Sequence, residues 1–217
     1  MFDTSGPFVS VGTGFDGYYS GEVLDMAKGQ AEALFPLIEE RLALCGWTLA
    51  DLDAIGVATG PGNFTGIRIS VSAARGLGLA LGIPVFGLNQ FELTYGIIPV
   101  PHGTLISVLA PRNMAYVEGS RLDAGKISAQ MIDPAHLPDD LQLCSRMAVF
   151  GHRADEISGH FGATPYVDPY QPDPALMATL TEQKYLEALA FPPSPAPNYV
   201  KPPDAAPARD TPPQIVP

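Results

Sequence analysis

One stretch of the sequence restricts the fold more than any other: an apolar strand enters a Gly-Pro-Gly turn and leaves it as a long helix. Residues 54–59 have the composition of a buried strand, and residues 65–81 carry the apolar spacing of a helix. Gly82 and Pro84 are suited to end that helix, and residues 84–88 form another short strand. Strands that alternate with helices in this way predict an α/β sheet with right-handed crossovers.

Further patterns before this stretch belong to the same unit, and the patterns after it predict a second unit. An alternating segment, a Gly-Phe-Asp-Gly turn and two tyrosines near the start indicate a hairpin, and the apolar spacing over residues 30–45 indicates an amphipathic helix. From about residue 103 the patterns repeat in kind, with strands predicted at 104–109, 115–119 and 148–151 and a helix at 174–189.

These patterns divide the chain into two lobes and a tail. Residues 192–217 hold 10 of the 23 prolines, so the tail cannot continue the last helix. We therefore predict an N-terminal lobe over 1–102, a C-terminal lobe over 103–191 and a Pro-rich tail over 192–217.

The charge balance argues against a protein that binds nucleic acid by itself. Among 217 residues, 12 Lys and Arg stand against 23 Asp and Glu, a net charge of -11. Phosphate binding requires clustered Lys and Arg, so any contact with RNA must come mainly from another subunit. No apolar run reaches the ~18–20 residues of a membrane span, and the first residues do not resemble a signal peptide. We therefore expect a cytoplasmic protein without membrane contact.

The cysteines and histidines predict no metal site and no hydrolytic nucleophile. Cys45 and Cys144 are far apart and in no CxxC pattern, which excludes a four-Cys zinc site and a disulfide scaffold. None of the four histidines has HExxH or HxxxH spacing. A Gly-x-Ser-x-Gly elbow is also absent, and neither cysteine has a partner nearby in the sequence.

Two short segments are candidates for an anion site. Free N–H groups at a helix start attract anions, and Arg68 would add positive charge to the Gly-rich turn. The Walker A pattern is absent, so the turn is either another kind of anion site or a structural turn. Asp3, Thr4 and Ser5 follow a strand that is short, because only two residues precede Asp3. This trio either holds a metal-bound phosphate or forms an Asx-type turn. The candidate residues are Asp3, Thr4, Ser5, Gly62, Asn63, Thr65 and Arg68.

Small side chains form a stripe along the long helix. They recur every four residues, which places them on one slowly drifting face. Small residues allow a second element to approach closely, so the stripe packs either within its own lobe or against another subunit. Its members are Gly66, Ser70, Ala74, Gly78 and Gly82, with Ala73, Gly76 and Ala80 beside them.

Several of these segments resemble the bacterial TsaB (YeaZ) family. Residues 60–70, Gly-Pro-Gly-Asn-Phe-Thr-Gly-Ile-Arg-Ile-Ser, are similar to its signature in both the loop and the following helix. Asp3-Thr4-Ser5 resembles the end of its first strand, and residues 30–36 resemble its first-helix segment. Residues 199–205, Tyr-Val-Lys-Pro-Pro-Asp-Ala, are similar to its C-terminal motif. The match covers the whole chain and is weak in the middle of the second lobe.

The resemblance implies a fold and a pathway. The fold is the two-lobed α/β architecture of actin, Hsp70 and sugar kinases (ASKHA), with a ribonuclease-H-like mixed sheet and helices in each lobe. The pathway makes N6-threonylcarbamoyladenosine at position 37 of tRNAs that read ANN codons. In it TsaD transfers the threonylcarbamoyl group from threonylcarbamoyl-AMP, and TsaB pairs with TsaD and activates it without catalysing the transfer.

The resemblance also implies partners, cofactors and an interface. The ATPase TsaE joins the complex, tRNA is contacted only through the complex, and TsaB alone forms a homodimer. Nucleotide and metal are expected on TsaD, and this chain is expected to have no cofactor of its own. Family members pair through helices of the first lobe, so the predicted interface residues are Gln30, Leu34, Gly66, Ser70, Ala73, Ala74 and Gly78.

Three departures from the family pattern bear on the rival hypotheses. The first strand is shortened, Gln30 replaces a His, and Ala110-Pro111-Arg112 stands where the family has Asp-Ala-Arg. An active ATPase or kinase would need carboxylates in both lobes, and the second lobe offers no clear one. A glycoprotease-like metallopeptidase would need metal ligands that the histidine positions do not supply.

Overall fold

The computed structural model describes residues 1–95, 103–123, 125–141, 143–166, 173–188 and 190–200. The strands are β1 Phe2–Asp3, β2 Phe8–Phe15, β3 Tyr18–Asp25, β4 Ile55–Ala58, β5 Val85–Leu88, β6 Thr104–Leu109, β7 Ala115–Ser120, β8 Lys126–Ile132, β9 Ala148–Gly151 and β10 Thr164–Tyr166. The helices are α1 Gln30–Leu44, α2 Phe64–Leu81, α3 Gln90–Tyr95, α4 Ala154–Gly159 and α5 Pro174–Glu187. No helix in these ranges is long and apolar enough to cross a membrane.

The ten strands form two five-stranded sheets with the same topology. The first has the order β3-β2-β1-β4-β5, and the second has the order β8-β7-β6-β9-β10. In each sheet the first strand pairs antiparallel with the second and parallel with the fourth. The predicted two-lobed α/β fold with ribonuclease-H-like sheets is confirmed, although the sequence shows no repeat.

Helices α1 and α2 cover one face of the first sheet. Leu34 and Ile38 of α1 and Ile67 and Val71 of α2 are buried in one apolar cluster with Val57 of β4. A helix is stabilised mainly by the burial of such a face, so the apolar spacing decides where each helix forms. Gly82 caps α2 with φ 70°, a left-handed conformation that favours glycine, so the predicted end of the helix is confirmed.

Helix α5 covers the opposite face of the first sheet, and this corrects the predicted lobe boundary. The sequence patterns place this helix in the C-terminal lobe over 103–191, yet it packs on β2 and β3 of the first sheet. A Cβ atom at Gly12 or Gly21 would collide with Pro174, and Ser10 Oγ donates to Met177 Sδ at 3.8 Å. The chain therefore returns to the first lobe after completing the second sheet.

After α5, residues 190–200 run along the first lobe without regular secondary structure. The Asn198 N–H donates to the Thr59 carbonyl at 2.7 Å, and Pro195 packs over Gly87 of β5. The predicted tail is therefore anchored over its first part. Residues 201–217, which include most of the motif at 199–205, lie outside the described residues, as do residues 96–102 before the second lobe.

Candidate functional site

The end of β1 places Asp3 inside a buried hydrogen-bond network. Its side chain is fully buried: Oδ1 accepts from the Ser5 backbone N–H at 2.6 Å, and Oδ2 accepts from Gln90 Nε2 at 2.7 Å. Gln90 Nε2 also donates to Ser5 Oγ, which lies 2.7 Å away. Burial raises the pKa of Asp3, and the hydrogen bonds from Ser5 and Gln90 oppose that rise. Both carboxylate oxygens are thus held by groups of the same chain.

The start of α2 is joined directly to the residues that follow β1. The Asn63 side chain caps the helix by accepting from the Gly66 N–H at 3.0 Å, and the Asn63 N–H donates to the Ser5 carbonyl at 2.6 Å. Thr4 Oγ1 donates to the Gly66 carbonyl at 2.6 Å. The turn before the helix contains a cis peptide bond between Gly60 and Pro61.

Glycine is required in this turn because two backbone segments touch. A Cβ atom at Gly62 would lie 2.5 Å from the Ser5 carbonyl oxygen, and one at Gly66 would collide with the Thr4 carbonyl. The loop is therefore packed against the chain's own backbone.

The structure thus brings together most of the candidate anion residues, but it buries the three that follow β1, whereas Gly62 is half-buried and Asn63 is exposed. Asp3, Thr4 and Ser5 are buried beside Gly62 and Asn63. Their polar groups bond to one another or to α2 and Gln90, which agrees with the Asx-type and structural turns considered from the sequence. Two remaining candidates, Thr65 and Arg68, lie on the exposed side of α2.

Arg68 belongs to an aromatic cluster at the edge of this region. Its guanidinium carbon lies 3.9 Å from the centre of the Phe64 ring, and its Nε donates to Tyr199 Oη at 3.1 Å. The Phe64 and Tyr199 rings are 4.9 Å apart. Arg68 is therefore held by aromatic contacts that fix the extended residues 190–200. No local pattern in the sequence predicts this contact, although Tyr199 and Phe64 both lie in the segments that carry the family resemblance.

The structure corrects the prediction that the small-residue stripe faces another subunit. Ser70 and Ala74 are fully buried, and a Cβ atom at Gly66 or Gly78 would collide with Thr4 or Val85 of the same lobe. The stripe lies on the same face of α2 as the apolar residues of the core, because it must approach β1, β4 and β5 closely. The stripe therefore packs within its own lobe, and only Gly82, at the end of the helix, is exposed.

Two further residues of the predicted interface are also buried in the lobe. Leu34 is in the core, and Gln30 Nε2 donates to the carbonyl oxygens of Gly6 and Phe8 at 2.6 and 3.3 Å. Gln30 thereby joins the start of α1 to the turn before β2. Ala73 alone in the predicted set remains half-buried at the side of α2.

The outward surface of α1 and α2 is instead formed by other residues, and several are apolar. Leu79 is 87% exposed, Leu44 is 67% exposed and Phe35 is 42% exposed. Around Gly76 a Cβ atom would meet no other atom within 4 Å. We call these four residues, together with Ala73, the outer helical face. Large apolar side chains at such exposure are candidates for contact with another molecule.

The second lobe carries no carboxylate in the turn that corresponds to the Asp3 segment. This turn follows β6 and contains Arg112 and Asn113, both with positive φ. Arg153, after β9, donates to the Asn113 carbonyl and to Glu156 Oε2, the latter at 2.7 Å. Across the described ranges no group of three His, Cys, Asp or Glu side chains is arranged to hold a metal ion.

The chain is similar in sequence to a known protein family. A family model described as TsaD, tRNA N6-adenosine threonylcarbamoyltransferase, matches residues 25–133. An uncharacterized protein of Mycobacterium tuberculosis is 34% identical over 187 residues, which cover 83% of this chain and 79% of the relative. A Buchnera aphidicola protein named tRNA threonylcarbamoyladenosine biosynthesis protein TsaB is 42% identical over 60 residues, 28% of this chain and 29% of that protein.

Solved structures share the fold. A Pseudomonas aeruginosa protein described as similar to peptidase YeaZ superposes with a TM-score of 0.71 and 20% identity, covering 92% of this chain and 97% of that one. YeaZ from the same organism superposes with a TM-score of 0.63 and 20% identity, covering 85% of this chain and 90% of that one.

Proposed function

The chain belongs to the tRNA N6-adenosine threonylcarbamoyltransferase family and is a TsaB-like member of it, and from this premise we propose that it acts in threonylcarbamoyladenosine biosynthesis as a non-catalytic subunit. In this role it pairs with TsaD and activates the transfer of the threonylcarbamoyl group to adenosine 37 of tRNA. The observation that carries the proposal is the closed network around Asp3. The Asp3 carboxylate is fully buried beneath the start of α2 and accepts hydrogen bonds from Ser5 and Gln90, so a metal or phosphate would have to displace this packing to reach it.

The second lobe supports the same assignment. Actin-like phosphoryl transfer would need a carboxylate from each lobe facing one cleft, and the turn after β6 offers Arg112 and Asn113 in that place. The turn after β6 therefore lacks the second carboxylate that an ATPase or kinase would need. In the described ranges there is also no cluster of metal ligands that a metallopeptidase would need. Nucleotide and metal are accordingly assigned to TsaD.

The outer helical face is the surface we assign to TsaD. It lies on the helices of the first lobe, and its exposed apolar residues Leu79, Leu44 and Phe35 would be removed from water by a partner. The same face would form the homodimer when TsaD is absent, because an unpaired apolar surface tends to self-associate. TsaE is proposed as a further component, which joins the TsaB–TsaD pair.

Binding of tRNA is assigned to the complex. The net charge of -11 opposes contact with a phosphate backbone, so the positive charge must come from the partners.

Reconstitution tests the function directly. The assay contains purified TsaD and TsaE from the same host, and also TsaC, the enzyme of the pathway that makes threonylcarbamoyl-AMP from threonine, bicarbonate and ATP. These substrates and tRNA are supplied with and without this chain, and the modified nucleoside is quantified. We expect modification to depend on the chain, and we expect Asp3→Asn to lower activity by less than about tenfold, since a lost catalytic carboxylate would cost on the order of 10³-fold or more. Modification at full rate without the chain would contradict the proposal. So would tight binding of ATP and magnesium by the isolated chain in isothermal titration.

A further inference from the structure

Residues 195–200 meet the first sheet at the edge where sheets of this kind bind a ligand, and we call these residues the strap. In the first sheet the chain leaves β1 toward β2 on one side, and it leaves β4 toward β5 on the other. The carboxyl ends of β1 and β4 therefore form a topological switch point, and ligands of open α/β sheets bind in the crevice outside such a point. Thr59 directly follows β4 at this edge, and its carbonyl oxygen accepts a hydrogen bond of 2.7 Å from the Asn198 N–H.

Two glycines at this edge lie directly against the strap. A Cβ atom at Gly60 would lie 3.3 Å from the Asn198 carbonyl oxygen, and a Cβ atom at Gly87 of β5 would lie 3.0 Å from Pro195 Cβ. Pro195 itself is buried. Any larger side chain at these positions would enter the space that the strap occupies, so the two glycines shape a groove for an extended backbone.

The strap has the properties of a peptide ligand, although it is part of the same chain. Tyr199 Oη accepts a hydrogen bond of 3.1 Å from Arg68 Nε, and the Tyr199 ring lies 4.9 Å from the Phe64 ring. Pro195 and Pro197 fix φ at two positions of the strap. A segment restricted in this way loses little conformational entropy when it docks, so its few contacts suffice to hold it.

The same segment also reaches the second lobe. Val200 packs against an apolar cluster in which Phe91 of α3 meets residues of the second lobe. Those residues are Ile106, Val108, Ala110 and Tyr116. The strap is therefore bound to the first lobe through Asn198 and packs on the second lobe through Val200. A ligand that closes two domains around itself acts in the same way, because it makes contacts with both.

We propose that the crevice is a binding site for an extended peptide, and that the strap fills this site as an internal ligand that holds the two lobes together. A peptide of this class brings a backbone N–H to the Thr59 carbonyl, a proline to Gly87 and an aromatic ring to Phe64 and Arg68. Closure of the two lobes is in this way built into the chain.

The first test compares two proline variants of the full chain. Asn198→Pro removes the N–H that Thr59 accepts and places a ring carbon against that carbonyl. Ala196→Pro is the matched control, because Ala196 is exposed and each change places a proline directly after a proline. The distance between the lobes is read by double electron–electron resonance from two spin labels.

The spin labels are attached at Asp53→Cys in the first lobe and Ser128→Cys in the second, both of which are exposed positions. Cys45→Ser and Cys144→Ser remove the native thiols from all versions of the chain. We expect the distance distribution to broaden in Asn198→Pro and to stay unchanged in Ala196→Pro. Distributions of equal width in the two variants would overturn the role of the strap in holding the lobes.

Hydrogen exchange tests the docked strap without any substitution. In the unmodified chain the Asn198 amide should exchange at least about tenfold more slowly than the Ala196 amide, because only the Asn198 amide donates to the sheet edge. Equal exchange at the two amides would show that the strap is not held in the crevice and would overturn the proposal.

A free peptide tests whether the crevice is a peptide site. Acetyl-Ser-Pro-Ala-Pro-Asn-Tyr-Val-amide has the sequence of residues 194–200, and its binding is followed by fluorescence anisotropy up to millimolar concentration, the effective concentration of a short tether. We expect saturable binding to the Asn198→Pro chain and binding at least about tenfold weaker to the unmodified chain, whose own strap competes. The control peptide Acetyl-Ser-Pro-Ala-Pro-Pro-Tyr-Val-amide should bind weakly to both chains. Equal binding of the two peptides to the Asn198→Pro chain, or binding of neither, would overturn the assignment of a peptide site.

Discussion

Gln90 Nε2 lies 2.7 Å from Asp3 Oδ2, although 87 residues separate the two in the sequence. Gln90 is the first residue of α3, and the next residue, Phe91, is buried among Ile106 and Val108 of the second lobe. One amide side chain therefore ties the central strand of the first sheet to the helix that packs against the second. The carboxylate that the sequence offered for a metal-bound phosphate instead lies at the junction of the two lobes, where it accepts a hydrogen bond from Gln90.

The first prediction concerns the pH dependence of stability at Asp3. Burial raises its pKa above the ordinary value of 3.8, so the folded state holds this proton more tightly than the unfolded state. The contribution of Asp3 to the free energy of unfolding is therefore complete below pH 3.8. It is lost as pH rises through the folded-state pKa. The amount lost is about 1.4 kcal/mol for each unit by which the folded-state pKa exceeds the ordinary value.

Asp3→Asn removes this titration and nearly preserves the shape of the side chain. We expect the free energy of unfolding of the variant, measured in urea, to gain on that of the wild type as pH rises from about 4, and the difference then to level off. If the two curves stayed parallel from pH 4 to pH 8, the pKa of Asp3 would be unperturbed and its burial without consequence.

The second prediction separates the two faces of α2. Gly66→Ala places a Cβ against the Thr4 carbonyl, a backbone atom that cannot move aside, and should lower the free energy of unfolding by about 1–3 kcal/mol or more. Gly76→Ala is the matched control, because the same atom would there meet open space and improve helix propensity by up to about 1 kcal/mol. Urea unfolding followed by circular dichroism measures both. Equal stability of the two variants would show that α2 does not pack as described.

The third prediction concerns the outer helical face. Leu79→Lys replaces an apolar side chain that is 87% exposed in the free chain, so folding should be unaffected. Pairing with TsaD should weaken by about 2 kcal/mol or more, because the lysine would have to be desolvated at the interface. Tyr18→Lys, at an 82% exposed position on the first hairpin, is the control and should leave pairing unchanged. Isothermal titration against TsaD measures both, and equal affinities would place the interface elsewhere.

The fourth prediction concerns RNA. The isolated chain should show no binding to tRNA in a mobility-shift assay at physiological salt, since its net charge of -11 repels phosphate. The complex with TsaD should bind tRNA, and its affinity should fall steeply as salt rises. Micromolar binding by the chain alone would assign an RNA contact to this subunit.

The long helices and most strands can be predicted from the sequence, whereas some strands and the short helices cannot. Three helices and five strands lie close to the predicted ranges, since each has buried apolar residues in a pattern that the sequence shows. The helices are α1, α2 and α5, and the strands are β4, β5, β6, β7 and β9. The strands β8 and β10 and the helices α3 and α4 were missed. The two helices have six residues each, too few to show a helical period.

The candidate site was predicted in part. The predicted residues Asp3, Thr4, Ser5, Gly62 and Asn63 do meet. Gln90, whose side chain donates to Asp3 and Ser5, is not among the predicted residues. Nothing in its local sequence indicates that its side chain points toward β1. Likewise, a small residue at every fourth position predicts that another structural element packs closely against α2. The spacing does not distinguish an element of another subunit from an element of the same chain.

The sequence by itself determined the α/β class, the two long helices of the first lobe and the Gly-rich turn between β4 and α2. These features depend on residues that are near one another in the chain, through apolar periodicity and the conformational freedom of glycine. Only the tertiary structure decided that α5 returns to the first sheet, that the stripe on α2 is buried, and that Gln90 closes the Asp3 site. Each of these joins residues far apart in sequence, so it depends on which surfaces remain uncovered once the sheets have formed, and no local pattern records that.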